Sequence, residues 1–300
     1  MKQLLRDPSR SNHFRSTQPI EKRHSVSSFG QRLLDTFAKN GQLCVGIDPS
    51  SDQLHSWGLE VSVEGAKSFT LSMLDAAYGK VGIVKFQVGF FEQFGAQGFT
   101  ALSDLLEEAQ SRGFVVIADA KRGDIGSTMS GYARAWLSSE AAFVCDALTV
   151  SPYLGPDSLA ETVNLALENN RGLFVLAATS NPEATALQSS LSDGKSVARS
   201  VMDFADSFSS GVLGSIGAVV GATVDHAELG LDSSESVNFP VLVPGFGAQG
   251  AALTNTRLLL SCYADTAVCN VSRLVAGASS EGLSTRVLKA KTELEVGLRS

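Results

Sequence analysis

The segment 119–126 places carboxylates and cations directly after an apolar run. It reads Asp-Ala-Lys-Arg-Gly-Asp-Ile-Gly and follows the apolar residues 114–118. Because side chains alternate along a strand, Asp119 and Lys121 would share one face. Ionised groups on an inward face are costly to bury unless they are paired or used in chemistry. Considered alone, the segment fits a salt-bridged surface turn equally well.

Two more charged residues stand near the ends of other apolar runs. Lys85 interrupts the run 82–88, and Asp48 closes the run 43–48. An alternating set of Asp48, Lys85, Asp119 and Lys121 would give each ammonium a carboxylate neighbour, which favours the charged forms. Lys121 would then be a proton donor rather than an amine nucleophile. The alternative for Lys85 is an outward-facing lysine whose ammonium reaches solvent.

A glycine-rich loop at 245–250 follows a further apolar run. Its spacing matches the G-x-G-x-x-G of dinucleotide-binding domains, but that motif belongs in their first βα unit and this one lies near the end of the chain. In a barrel, the same loop, including Gly247, predicts a phosphate cradle of backbone N–H groups. Gln249 would add a donor and Arg273 a bidentate fork, unless Arg273 is simply solvated. Ser180 either contacts a substrate amide or forms a local turn.

These residues all follow short apolar, β-branched runs that alternate with helix-length amphipathic segments. Eight such runs are typical of a (β/α)8 TIM barrel, and a doubly wound sheet is the main alternative. In a barrel the functional groups collect at the carboxyl ends of the strands, as the charged residues do here. We therefore predict a barrel with strands at 43–48, 81–86, 114–119, 143–150, 173–178, 215–220, 241–243 and 267–271. Helices are expected at 64–77, 100–112, 158–168 and 257–262.

Composition limits the classes of function. The chain of 300 residues has a net charge of −7, with 44% hydrophobic and 18% charged residues, typical of a globular protein. An acidic chain is a poor candidate for binding nucleic acid, and the stretch 207–224 is too rich in glycine and serine to span a membrane. Four scattered cysteines predict neither a zinc site nor disulfides, and favour a cytoplasmic protein.

The first 28 residues differ from the remainder. They hold six basic residues against two acidic ones, with almost no apolar clustering. We predict a flexible basic arm over 1–28 and a single barrel domain over 29–300.

With these motifs assembled, residues 29 to the C-terminus resemble the orotidine 5′-phosphate decarboxylase family, most closely its longer bacterial branch. The likeness rests on Asp-Ala-Lys-Arg-Gly-Asp-Ile at 119–125, Val-Lys-Phe-Gln at 84–87, and the glycine loop at 243–250. The family's charged Lys–Asp–Lys–Asp tetrad falls on Lys85, Asp119, Lys121 and Asp124. The resemblance makes Lys121 the lysine that stabilises and protonates the C6 carbanion of the pyrimidine.

The resemblance also implies a set of binding residues. Asp48 corresponds to the family's ribose-binding aspartate and Ser180 to the serine that contacts the pyrimidine. Gln249 and Arg273 correspond to its phosphate-binding pair. Three further positions would reach into the partner subunit's site of a homodimer, namely Asp124, Ile125 and Thr128. The implied reaction forms UMP in pyrimidine biosynthesis and needs no cofactor and no metal.

Two rival functions remain open. One is a sugar-phosphate decarboxylase or hexulose-phosphate synthase of the same superfamily, which resembles this chain in Asp-x-Lys-x-x-Asp and uses Mg²⁺. Those enzymes carry a metal-binding glutamate where this chain has Lys85, and a cation there opposes metal binding. The other rival is a catalytically silent phosphate-binding barrel, which has no need of a complete charged tetrad.

Overall fold

A closed parallel barrel is the centre of the molecule in the computed structural model, which describes residues 27–232 and 235–300. The barrel strands are β1 (Leu43–Ile47), β2 (Ile83–Gln87), β3 (Val115–Arg122), β4 (Ala147–Val150), β5 (Gly172–Ala178), β8 (Ile216–Val220), β9 (Val241–Val243) and β10 (Ala267–Val271). They pair in the order β1-β10-β9-β8-β5-β4-β3-β2, and β1 pairs with both β2 and β10, which closes the ring. This closure confirms the predicted TIM barrel and excludes the doubly wound sheet. A separate hairpin is formed by β6 (Leu191–Ser192) and β7 (Lys195–Ser196).

Helices and short 3₁₀ turns cover the outside of the barrel. Serines cap several helices: the side chains of Ser50, Ser62 and Ser196 each accept a backbone N–H three residues later, which satisfies a free donor of the first turn. The α-helices are α1 (Phe29–Asn40), α2 (Ser51–Ser56), α3 (Val63–Ala77), α4 (Gly89–Glu92), α5 (Gly95–Ser111), α6 (Gly126–Leu137), α7 (Ala160–Glu168), α8 (Thr185–Gln188), α9 (Val197–Asp206), α10 (Thr256–Leu260), α11 (Arg273–Ala276) and α12 (Leu283–Arg299).

The observed elements differ from the predicted ones in several places. The fourth strand begins at Ala147 rather than at 143, because Asp146 leaves the strand pattern and its carboxylate accepts the Val116 N–H and the side chain of Arg32. The helix predicted at 257–262 ends at Leu260, since Ser261 takes a positive φ of 48°. The hairpin β6–β7 was not predicted.

The interior of the barrel is apolar at the amino ends of the strands, where α1 covers the opening of the barrel as a plug. Phe29 and Leu33 of α1 pack with inward-facing residues such as Ile117 and Phe174. Gly30 allows this close approach, because an added Cβ would lie 2.1 Å from the carbonyl oxygen of Leu213. The charged side chains of Lys85, Asp119 and Lys121 lie at the other, carboxyl end of the strands.

The predicted basic arm lies mostly outside the described residues, which begin at Ser27. Ser28 belongs to the fold, since its side chain caps α1. No helix in the described part of the chain is long and apolar enough to cross a membrane.

Candidate active site

A cavity of about 360 Å³ opens at the carboxyl ends of the barrel strands. This volume is within the range of small-molecule sites. One wall carries ionised groups and the opposite wall is apolar, so a ligand with one polar and one apolar face would bind in a single orientation. The charged wall comprises Asp48, Lys85, Asp119 and Lys121, and the apolar wall includes Leu176, Val219, Leu242, Pro244 and Phe246.

The charged wall is a row of alternating sign. Lys121 Nζ lies 2.6 Å from Asp119 Oδ1, and Lys85 Nζ lies 3.0 Å from Asp119 Oδ2. Lys85 Nζ is also 3.9 Å from Asp48 Oδ1. Three neighbouring strands hold the row: Asp48 follows β1, Lys85 is on β2, and Asp119 and Lys121 are on β3. The structure thus brings together the alternating set that the residue types predict.

An irregularity in β3 directs Lys121 toward the cavity. The register between β3 and β4 shifts between Ala118 and Arg122, and Lys121 takes a φ of 49°, in the left-handed region. Thr149 of β4 supports this turn, because its Oγ1 accepts the Lys121 backbone N–H at 3.0 Å and donates to Asp119 Oδ1 at 2.8 Å. One hydroxyl therefore fixes both the backbone of the lysine and the carboxylate that binds its ammonium.

The pair at the centre of the row is buried and charged. Burial alone would raise the pKa of Asp119, but Lys85 and Lys121 outweigh it and hold the pKa well below its usual value. Burial would likewise lower the pKa of Lys85, yet Asp119 and Asp48 raise it above the usual value. Asp119 is therefore a fixed anion near neutral pH. Beneath it, burial raises the pKa of the Cys44 thiol to about 12, which keeps that thiol neutral.

A second part of the cavity is suited to an anion. Arg273 is the first residue of α11 and lines the cavity, and its guanidinium makes no hydrogen bond or ion pair with any residue that the structure describes. Gln249 lines it too, and its Oε1 accepts a hydrogen bond from Ser180 Oγ at 2.8 Å, which leaves the amide nitrogen as a donor. Both residues of the predicted phosphate pair and the predicted pyrimidine-binding serine thus line the same cavity, and Ser180 is in direct contact with Gln249.

Gly247 does not line the cavity. Its N–H donates to the carbonyl oxygen of Ala251 at 2.8 Å, so it is not free for a phosphate. The residue has a φ of 76°, and a Cβ there would lie 2.9 Å from the Cβ of Leu274. The glycine is needed for this turn and for its close packing on α11.

Three other predicted residues lie away from the cavity of their own chain. Asp124, Ile125 and Thr128 do not line it, and the Asp124 carboxylate accepts the N–H of Ile125 at 2.8 Å. Ile125 is 59% exposed. Within this chain, Asp48 rather than Asp124 is the second carboxylate of the row.

Sequence reasoning missed several residues of the site. Gln87, Thr149 and Asn270 line the cavity and were not among the predicted site residues. Asn270 is 7% exposed, lines the cavity, and has a buried Oδ1 without a partner among the described residues. A polar residue within the apolar run 267–271 was the available signal. The residues of the apolar wall could not be identified as site residues from the sequence, because they resemble the buried residues of any other strand.

The carboxylates of the site do not form a metal-binding cluster. In the described residues no group of three His, Cys, Asp or Glu side chains is placed to hold a metal ion. Asp48 and Asp119 both face Lys85, whose ammonium occupies the position between them.

Comparison with known proteins identifies the family. The model described as "Orotidine 5'-phosphate decarboxylase / HUMPS family" matches residues 41–284. A Corynebacterium glutamicum protein named orotidine 5′-phosphate decarboxylase is 41% identical over 271 residues, which is 88% of this chain and 96% of that protein. A Streptomyces coelicolor protein of the same name is 43% identical over 252 residues, covering 83% of this chain and 89% of its own length.

Solved structures agree with this match. A crystal structure from Streptomyces avermitilis, assigned to orotidine 5′-phosphate decarboxylase, has 40% identity and a TM-score of 0.87, and covers 94% of this chain and 100% of its own. The OMP decarboxylase of Leishmania donovani has 25% identity and a TM-score of 0.68, and covers 89% of this chain and 98% of its own. The chain therefore belongs to the orotidine 5′-phosphate decarboxylase / HUMPS family.

Proposed function

We propose that this protein is an enzyme that decarboxylates orotidine 5′-phosphate to UMP, the step that completes pyrimidine nucleotide synthesis, with Lys121 as the proton donor. The observation that carries the proposal is the row of Lys85, Asp119 and Lys121 facing the cavity. The family relatives named orotidine 5′-phosphate decarboxylase support the substrate.

The chemistry needs a fixed cation beside C6 of the pyrimidine. When the bond between C6 and the carboxylate breaks, CO₂ departs and the electron pair stays on C6. The Lys121 ammonium stabilises this developing carbanion more than it stabilises the substrate, and then transfers a proton to C6. Asp119 orients the ammonium through its 2.6 Å contact, and Lys85 in turn fixes Asp119. No step requires a cofactor.

The 5′-phosphate is bound away from the reacting carbon. Arg273 supplies a guanidinium without a protein partner in the described chain, and Gln249 supplies an amide donor. Such a remote group does not react, but its binding energy favours the ordered, water-poor site in which Lys121 acts. Ser180, hydrogen-bonded to Gln249, is positioned to contact the pyrimidine, and Asp48 beside Lys85 accepts a ribose hydroxyl.

The working form is a homodimer in which each subunit contributes to its partner's site. Asp124, Ile125 and Thr128 are adjacent to Lys121 in sequence yet lie outside the cavity of their own chain. In the neighbouring loop after β4, Tyr153 is 77% exposed and Leu154 is 51% exposed. Apolar side chains grouped on adjacent loops are typical of a protein interface.

The remaining assignments concern domain and compartment. The barrel domain over 29–300 holds every residue of the proposed site, and the basic arm 1–28 takes no part in the chemistry. None of the four cysteines forms a disulfide and three of them are buried, which supports a cytoplasmic location.

A spectrophotometric assay of orotidine 5′-phosphate loss, with and without EDTA, tests the proposal. Activity should be unchanged by EDTA, because the Lys85 ammonium stands between the carboxylates that would otherwise bind a cation. Activity that disappears with EDTA and returns with Mg²⁺ would favour the sugar-phosphate enzymes instead.

The role of Lys121 is tested by substitution. The Lys121→Ala variant should bind UMP yet be nearly inactive. Phosphate binding without turnover by the wild type would indicate the catalytically silent barrel.

A further inference from the structure

We propose that Arg286 is a positioning residue for the phosphate end of the site, acting through α11. The inference rests on the proposed role of Arg273 in binding phosphate. Arg286 is on α12 and does not line the cavity. It is half-buried and contacts the end of α11 that is opposite to Arg273.

The Arg286 guanidinium is surrounded by backbone carbonyl oxygens. Its Nε donates to the carbonyl of Val275 at 2.6 Å, and its Nη2 donates to those of Ala276 at 2.7 Å and Ser279 at 2.6 Å. Its Nη1 donates to the carbonyl of Glu281. A single planar group thus binds four carbonyls of the segment 275–281, an arrangement for which the fork of arginine is suited and the single ammonium of lysine is not.

Two of these carbonyls belong to the last residues of α11. A helix leaves its final carbonyls without intrahelical partners, and a cation there is favoured by the helix dipole. With only four residues, α11 has no length of its own to stabilise it. The contacts of Arg286 with Val275 and Ala276 are therefore a principal constraint on where this short helix lies.

The turn between α11 and α12 is fixed from the other side as well. The carbonyl of Gly277 accepts the Gln53 side chain at 2.7 Å and the Trp57 indole at 3.4 Å. Gly277 has a φ of 60°, and a Cβ there would lie 2.8 Å from the Arg286 guanidinium carbon. The turn is thus closed tightly around the guanidinium.

The opposite end of α11 is the phosphate end of the cavity. Arg273 is its first residue, and the carbonyl of Arg273 accepts the N–H of Gly277, the residue that follows the helix. About 6 Å separates the two ends of a four-residue helix, so a displacement at the Arg286 end is transmitted to Arg273. Losing the guanidinium should therefore misplace Arg273 without touching the charged row.

Arg257 provides a matched control. It too is an arginine that binds a helix-terminal carbonyl, since its Nε and Nη2 donate to the carbonyl of Leu298 at 3.0 and 2.9 Å. It acts at the far end of α12 and contacts no residue of the cavity wall. A loss of general stability would appear in variants of both arginines, whereas a loss of phosphate binding should appear only in variants of Arg286.

The experiment compares a phosphorylated with an unphosphorylated ligand in the full-length protein. The kcat/KM values for orotidine 5′-phosphate and for orotidine are measured for the wild type, Arg286→Ala, Arg286→Lys, Arg257→Ala and Arg273→Ala. Affinities for UMP and uridine are measured by calorimetry on the same proteins. In Arg286→Ala, we expect kcat/KM for the phosphorylated substrate and affinity for UMP to fall about tenfold, while orotidine turnover changes by less than about twofold.

The variants separate the possible outcomes. If Arg286 acts through Arg273, the double variant Arg273→Ala/Arg286→Ala should be no worse than Arg273→Ala alone. If Arg286→Ala does not fold, Arg286→Lys must show a smaller loss that is again confined to orotidine 5′-phosphate turnover and UMP affinity. Equal losses of kcat/KM for orotidine 5′-phosphate and orotidine would overturn the inference. So would a ratio of these two kcat/KM values that is the same in Arg286→Ala as in Arg257→Ala. Neither result would contradict the assignment of Arg273 to the phosphate site. Absence of a selective loss in Arg273→Ala would overturn the phosphate assignment itself, and this inference with it.

Discussion

Asp119 is the residue that joins the two lysines of the site. Its two carboxylate oxygens accept from Lys85, Lys121 and Thr149, so each donor restricts its rotation. A buried charge with this many charged and polar donors is stabilised in its ionised form. Removing its charge would leave two ammonium groups facing each other across a short gap.

The stability of the protein should therefore depend on Asp119 in a defined pH range. Because its folded pKa is depressed, the carboxylate contributes stability that is present above the unfolded pKa of about 3.8 and is lost as the pH falls further. Urea unfolding of the wild type and of Asp119→Asn should give a free-energy difference that is constant from about pH 5 to 8 and shrinks below about pH 4. A difference that stays constant down to pH 3 would mean that Asp119 is not held as an anion.

Arg273 is the residue that we expect to discriminate between substrates. Loss of a charged partner for phosphate costs at least about 2 kcal/mol, or roughly 30-fold in kcat/KM, for orotidine 5′-phosphate in Arg273→Ala. The loss should nearly disappear with orotidine, which has no phosphate. Steady-state kinetics with both substrates measure this directly, and an equal loss with both would indicate a folding defect.

At the scale of elements, the bulge in β3 determines how Lys121 is presented. Thr149 reaches across from β4 and bonds both the Lys121 backbone and the Asp119 side chain. Lys121 is one of the few non-glycine residues with positive φ in the described chain, a conformation that needs support from its neighbours. The hydroxyl of Thr149 provides that support.

Replacing Thr149 by valine keeps the shape and removes the hydroxyl. We expect kcat for Thr149→Val to fall about tenfold, or by about 1.4 kcal/mol, since the hydrogen bonds of the hydroxyl to the Lys121 N–H and to the Asp119 carboxylate are both lost and Lys121 becomes less well oriented. Thr70→Val is the control, because Thr70 is equally buried and its hydroxyl donates only to Ala66 within α3. Equal kcat values in the two variants would show that the bulge does not depend on this hydroxyl.

Elements with a strong local pattern were predictable, and contacts between elements were not. The β-branched runs and the charged residues after them indicated the barrel and its active end, and alternation along the strand correctly placed Asp119 and Lys121 on the same face. The plug formed by α1 could not be foreseen, because its apolar residues look like those of any amphipathic helix. The use of the Gly247 N–H within its own loop also depends on a contact, with Ala251, that sequence spacing does not reveal.

At the scale of the whole molecule, the shared site can be tested by mixing subunits. Lys121 lies in the cavity of its own chain and Asp124 does not, so a heterodimer of Lys121→Ala with Asp124→Ala should contain one intact site of two. Random remixing of two nearly inactive homodimers makes about half of the dimers heterodimeric and should restore about a quarter of wild-type activity.

A second mixture supplies the control for this experiment. Lys121→Ala mixed with Asp119→Ala should recover nothing, because both residues belong to the cavity of their own chain. Subunit exchange is verified in each mixture by pull-down with a tag on one chain. If exchange occurs and the mixture with Asp124→Ala stays inactive, Asp124 serves its own subunit.

The pairing of the first strand with the last has a consequence for synthesis of the protein. β1 and β10 are neighbours in the barrel, although more than two hundred residues separate them along the chain. At about 5–20 residues per second, a ribosome needs on the order of 10–40 s to deliver the missing neighbour. During that interval β1 has an open edge, and neither Asn270 nor Arg273 has yet been made. A nascent chain therefore cannot be stabilised by binding the substrate. Chains that stop short of β10 should aggregate rather than persist as weakly active enzyme.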